Sequence, residues 1–203
     1  RDLHSFPTRR SSDLVLSHIP FVAWLVKELQ PATFVQLGTQ SGNLYFAACQ
    51  TVAENSLPTR CWAVGTWQAE ELAQRHSVQQ EAGASDYNRQ HFGAFSSLLR
   101  MGDAQALPRF APGSIDLLLI DGRYSPETVR NEYESWRDRL SDHAVVLLVG
   151  IEQADSGAAA LWQQLQPQYP HLAFAHAQGL GVLAVSGNVP KAFQSVLDRK
   201  SVV

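Results

Sequence analysis

The chain has 203 residues, 45% hydrophobic and 17% charged, which is enough apolar material for one domain with a sizeable core. Its net charge of −3 gives no basic surplus and argues against nucleic acid as a partner, and no apolar run reaches membrane-spanning length. Two cysteines, Cys49 and Cys61, are too few for a disulfide framework or a metal cluster and read as reduced, buried thiols of a cytoplasmic protein.

In chain order, both ends look foreign. Arg1 to Leu14 contains FPTRRSSDL, which resembles the translation of a sequencing-adapter oligonucleotide. Asp198 to Val203 (DRKSVV) resembles the same adapter read on the other strand. Setting both aside leaves residues 15–197 as the expected domain, with its own ends cut. Val15 to Leu29 is interrupted by Ser17, His18, Pro20, Lys27 and Glu28 and reads as an amphipathic helix.

Strand-length apolar runs then alternate with helix-period segments, the pattern of a doubly wound, mostly parallel sheet. Thr33 to Leu37 is the first strand, followed by a glycine-rich turn, Gly38 to Gly42, and a helix from Asn43 to Ala53. Cys61 to Val64 and Leu98 to Met101 are the next two strands. Between them, Gln68 to Phe95 is too long for an ordinary connection and is expected to form helices covering a site. Ile115 to Ile120 is almost uniformly apolar, as a central strand buried on both faces should be. Ser125 caps the following helix, Pro126 takes its first position, and Val129, Tyr133, Trp136 and Leu140 form its buried stripe. Ala144 to Val149 is the fifth strand, and a helix follows Ser156 with Leu161, Trp162 and Leu165 on one side. Leu172 to Ala175 and Gly181 to Val185 close the sheet as an antiparallel hairpin.

Two places could carry chemistry. The turn Gly38-Thr39-Gln40-Ser41-Gly42 lets backbone approach a ligand, with the free N–H groups of a helix start beyond it. Gln40 stands where a dinucleotide fingerprint needs its second glycine, which disfavours a nicotinamide oxidoreductase. The fourth strand ends in Ile120-Asp121-Gly122, at the carboxyl edge where open sheets bind ligands, although Asp121 is also explicable as a loop cap. Asp103, after the third strand, is equally explicable as a helix N-cap. Tyr124 could position a hydroxyl or simply pack, Trp67 could stack on an adenine or be buried, and His76 and His91 are candidate bases on the covering stretch. His143, His171 and His176 have no evident partners in the sequence.

FVQLGTQSGNLYFAACQ, CWAVGTWQ, FSSLLR, FAPGSIDLLLIDG, ETVRNEYESWRDRLSDHAVVLL and GLGVLAV together resemble the small class I S-adenosylmethionine-dependent methyltransferases often encoded beside glycosyltransferases. The resemblance runs from about Pro20 to Val189. It implies an α/β, Rossmann-like methyltransferase fold: a seven-stranded, mostly parallel sheet with its last strand antiparallel and helices on both faces. It implies S-adenosylmethionine as cofactor, with Gln36, Gly38, Thr39, Gln40, Ser41 and Gly42 at its amino-acid end. Gly65 and Thr66 would lie at the ribose, Asp103 and Ala104 near the adenine, and Asp121 beside the methyl group. Asp121 and Tyr124 would be the catalytic pair acting on a small-molecule or saccharide hydroxyl, with an adjoining glycosyltransferase domain as a partner.

Departures from the family pattern fall at the pocket. Gln36 replaces an acid of the first strand, and Gly65 replaces the acid that holds the ribose. Tyr124 replaces a histidine, and Val149 and Gly150 replace a His-Asp pair. That last loss removes ligands for a divalent metal, so no metal is expected. Two functions remain in view: an O-directed methyltransferase, and a catalytically degenerate methyltransferase-like binding module of a glycan-assembly protein.

Overall fold

The computed structural model describes residues 14–38, 42–65, 77–121 and 124–200. Seven strands form one sheet: β1 Thr33–Leu37, β2 Arg60–Gly65, β3 Ser96–Arg100, β4 Ile115–Asp121, β5 Leu140–Val149, β6 His171–Phe174 and β7 Leu180–Ala184. Their order is β3-β2-β1-β4-β5-β7-β6. β1 to β5 pair in parallel, and β7 is antiparallel to both β5 and β6. β7 alone therefore runs against the rest. The order reverses between β1 and β4, opening a crevice at the carboxyl edge where ligands of such sheets bind.

Among the described residues seven α-helices cover the faces: α1 Ile19–Leu29, α2 Asn43–Glu54, α3 Ser77–His91, α4 Asp103–Ala106, α5 Pro126–Trp136, α6 Gly157–Leu165 and α7 Lys191–Lys200. Alternate residues of each strand feed one of two cores. Phe34, Leu117, Leu119, Val145, Leu147 and Val149 pack with α1, α2 and α7 on one face. Val35, Leu37, Leu118, Ile120, Val146 and Leu148 pack with α4, α5 and α6 on the other. β4 is buried at every position, as its apolar run requires.

Most local signals act as expected. Ser125 Oγ accepts from Thr128 N at 3.3 Å and Pro126 opens α5. Ser156 Oγ accepts from Ala159 N at 3.0 Å to start α6, and donates to Gly150 O at 2.7 Å, tying that start to the end of β5. The expected Val15–Leu29 helix is instead a 3-10 turn, Leu14–His18, followed by α1, because Pro20 suits a first turn and has no N–H to continue an earlier one. Leu140 leaves the α5 stripe and opens β5, which therefore begins well before Ala144. β3 starts at Ser96, earlier than expected, where the Ser96 hydroxyl meets Tyr45 Oη at 2.6 Å and donates to Asn88 Oδ1 at 2.5 Å. Helix α7 has no counterpart in the expected elements; fully buried Phe193 anchors it. Asp103 is not an N-cap: Gly102 is, and Asp103 begins α4.

At the amino edge, Asp116 Oδ2 accepts from the N–H groups of Ala32 (2.7 Å) and Thr33 (3.2 Å). Its Oδ1 lies 3.1 Å from His143 Nε2, while His143 Nδ1 lies 2.7 Å from Asp142 Oδ1. This latch fixes the start of β1 against β4 and β5, and with them the line of the opposite edge.

Candidate functional site

Strand register builds the site. Leu37 pairs with Ile120, so Gly38 and Asp121 reach the carboxyl edge side by side. Asp121 pairs on its other side with Val149, and Gly65 of β2 pairs with Arg100 of β3. Gly38 has φ +71°, a left-handed conformation that favours glycine. A Cβ there would stand 3.2 Å from Asp121 O, 3.4 Å from Asp121 Cβ and 3.4 Å from Tyr124 Cε2. The structure thus brings Gly38, Asp121 and Tyr124 together. Asp121 is buried and Tyr124 half-buried.

Gln36 lies in the same row of β1 as Phe34, on the face shared by Leu119 and Asp121. It is buried, and its Oε1 has no hydrogen-bond partner among the described residues. Gly42, φ +72°, precedes α2, whose first turn has no side-chain cap. A buried acceptor oxygen, two glycines in left-handed conformation at residues 38 and 42, and a helix start suit a ligand with an ammonium and a carboxylate. The amino-acid end of S-adenosylmethionine has that chemistry, so the residues present fit it. Gly65 offers only backbone at the end of β2. Asp103 is half-exposed and Ala104 exposed at the start of α4.

Thr39, Gln40, Ser41, Thr66, Trp67, His76 and Gly122 lie outside the described residues. His91 ends α3 just before β3 begins, at the amino edge, and its ring packs on Tyr87 with centroids 4.5 Å apart. It is not brought to the site. His143 belongs to the amino-edge latch, and His171 packs edge-on against Trp162 at 5.4 Å. The thiols of Cys49 and Cys61 are buried and free. Their mutual hydrogen bond and burial push the Cys61 thiol far up, so it stays protonated and unreactive. Among the described residues no group of three or more His, Cys, Asp or Glu could hold a metal, and no helix is long and apolar enough to cross a membrane.

His18 and His176 meet beyond the last strand of the sheet, a contact that sequence reasoning did not find. His18 is 1% exposed, and its ring lies 4.6 Å from that of His176, centroid to centroid. Burial first, then the neighbouring His176, lowers the His18 pKa and favours the neutral ring. Nothing local in the sequence signals this contact.

A family profile described as a methyltransferase domain matches residues 35–148. An uncharacterized protein of Sinorhizobium fredii, y4gI, is 38% identical over 170 residues, 83% of this chain. The chain spans only 19% of the length of that curated relative. Among solved structures, a putative caffeoyl-CoA O-methyltransferase from Staphylococcus aureus superposes with TM-score 0.62 at 10% identity, over 89% of this chain and 86% of that one. A methyltransferase of Podospora anserina, bound to S-adenosylhomocysteine, gives 0.60 at 12% identity over 82% and 76%. The O-methyltransferase TomG of Streptomyces achromogenes, in complex with S-adenosylmethionine, gives 0.55 at 13% over 90% and 93%. At these identities the likeness is one of fold.

Proposed function

Because the chain belongs to the methyltransferase-domain family matched over residues 35–148, we propose that it transfers a methyl group from S-adenosylmethionine to a hydroxyl oxygen. The convergence of Gly38, Asp121 and Tyr124 at one point of the carboxyl edge carries this reading. When bound, the cofactor supplies an electrophilic methyl carbon on a sulfonium centre. Gln36 Oε1 would accept a hydrogen bond from the ammonium end, and Gly38 and Gly42 would let backbone approach that end. Tyr124 directs the acceptor hydroxyl. Asp121 would take up its proton as the O–C bond forms and the S–C bond of the donor breaks, leaving S-adenosylhomocysteine. Alignment supplies most of the rate in this scheme, so a weak base suffices.

The acceptor in this reading is a small molecule or saccharide, and an adjoining glycosyltransferase domain is its natural companion. Both follow from the family resemblance, and the far greater length of the Sinorhizobium relative leaves room for further domains in such proteins. A second reading, a degenerate module that binds without turnover, is favoured by one observation: Gly65 and Gly150 leave two strand ends without side chains. Incubation with methyl-labelled S-adenosylmethionine and a panel of saccharides separates the two. Transfer by the wild type and its loss in Asp121→Asn supports the enzyme; binding with no transfer to any acceptor supports the module.

A further inference from the structure

β5 leaves the sheet at Gly150, one residue beyond Val149, the register partner of Asp121. Neighbouring strands stand about 4.8 Å apart, so this strand end flanks Asp121 on the side away from Gly38. Gly150 has φ +95°, a conformation unfavourable to an L side chain, and it stands where the family pattern has an acid. Another side chain takes up the room. A Cβ at residue 150 would meet Gln153 Oε1 at 3.2 Å and Gln153 Cδ at 3.8 Å, so the Gln153 amide folds back over the strand end.

The turn that carries this amide is fixed on both sides. Gln153 N donates to Gly150 O and Ser156 N to Gln153 O, both at 3.2 Å, and Ser156 Oγ donates to the same Gly150 O at 2.7 Å. Gly150 N donates to Gly179 O at 2.9 Å, which holds the strand end from the β7 side. Just past the turn, Gly157 N donates to Tyr124 O at 2.9 Å. The turn after β5 and the Tyr124 segment after β4 are therefore packed as one corner of the carboxyl edge. The backbone of Gln153 is committed to its turn, but the side chain is not. It is half-buried, its amide has no hydrogen-bond partner among the described residues, and its polar atoms stay open to solvent.

We infer that the Gln153 amide binds a second hydroxyl of the methyl acceptor, beside the one whose proton Asp121 would take up. Chemistry selects the class. An amide carries an acceptor oxygen and two N–H donors, and a hydroxyl offers one donor and two acceptor sites, so the pair is complementary without charge. Geometry limits the spacing. Two groups one strand apart, about 4.8 Å, each making a hydrogen bond of about 2.8 Å, suit hydroxyls on neighbouring carbons of a diol or polyol. Held at both points, the acceptor would present its reacting oxygen in one orientation, which is where alignment gains rate.

The inference rests on the methyl-transfer reading but can fail separately from it. Transfer from methyl-labelled S-adenosylmethionine to methyl glycosides and their monodeoxy counterparts is measured for the full chain, Gln153→Ala and Gln153→Asn. For the glycoside turned over fastest, Gln153→Ala should raise KM about tenfold with a smaller fall in kcat, while S-adenosylhomocysteine affinity and the urea midpoint hold. One monodeoxy counterpart should show the same rise with the wild type and no further rise with Gln153→Ala, because both changes remove one hydrogen bond. Gln153→Asn, which keeps an amide on a shorter stem, should recover part of the loss. An unchanged KM in Gln153→Ala, a rise that persists with every monodeoxy compound, or an equal loss of S-adenosylhomocysteine affinity overturns the assignment alone. No transfer to any glycoside by the wild type defeats the methyl-transfer reading, and this inference with it.

Discussion

Replacing Gly38 by alanine should damage cofactor binding and stability through two separable effects. The backbone at φ +71° costs an L-residue about 1–2 kcal/mol. The new methyl would also press on Asp121 O at 3.2 Å and on Tyr124 Cε2 at 3.4 Å, so the strand end or the ring must give by a few tenths of an ångström. Gly113, at φ +67° with nothing within 4 Å of its Cβ position, isolates the first effect. Gly113→Ala should therefore lose about 1–2 kcal/mol in urea melts and leave S-adenosylhomocysteine affinity alone. Gly38→Ala should lose at least as much and weaken affinity about tenfold, because it displaces the residues that line the site. Calorimetry and urea unfolding of the two variants make the comparison. Equal affinity in both would refute the placement of the site at Gly38.

Other consequences are as specific. Gly157→Ala places a methyl 2.3 Å from Val129 Cγ2 and 2.7 Å from Tyr124 O, so it should cost about 3 kcal/mol or more in urea melts and disturb Tyr124. Asp116→Ala strips the acceptor from the Ala32 and Thr33 N–H groups and should cost about 2–3 kcal/mol, with no direct effect at the carboxyl edge. The His18 pKa is lowered on folding, so the unfolded chain binds the proton more readily; stability is full above the unfolded value of about 6.5 and falls as pH drops below it. His18→Phe should flatten that slope in melts across this range, and an unchanged slope would contradict a buried neutral ring. Gly65→Asp should tighten S-adenosylhomocysteine about tenfold by restoring a charged acceptor for the ribose hydroxyls. Unchanged affinity would mean that the ribose does not lie at the end of β2.

Much of this architecture is legible in local sequence. Thr33–Leu37 is both the expected and the observed first strand, and Ser125-Pro126 and Ser156 start helices where capping chemistry says they should. Gly38 and Asp121 are likewise visible, because a glycine after a strand and an acid after a buried strand are short-range signals. What escapes is non-local. The bond from Ala32 to Asp116 spans 84 residues, and no periodicity reports it. His18 sits in a featureless Ser-His-Ile-Pro run, and its contact with His176 appears only when the β6–β7 turn is folded against it. Tyr124 is a candidate from the sequence, either positioning a hydroxyl or packing, but the approach of its ring to Gly38 is visible only in the fold. Helix α7 escapes for another reason: its single fully buried anchor, Phe193, gives too weak a stripe to stand out.

Calorimetric titration of the chain with S-adenosylhomocysteine tests the central claim most directly. The account predicts saturable heat at one site, together with a raised thermal midpoint, and weaker binding in Gly38→Ala. No heat and no thermal stabilisation at millimolar ligand would contradict it.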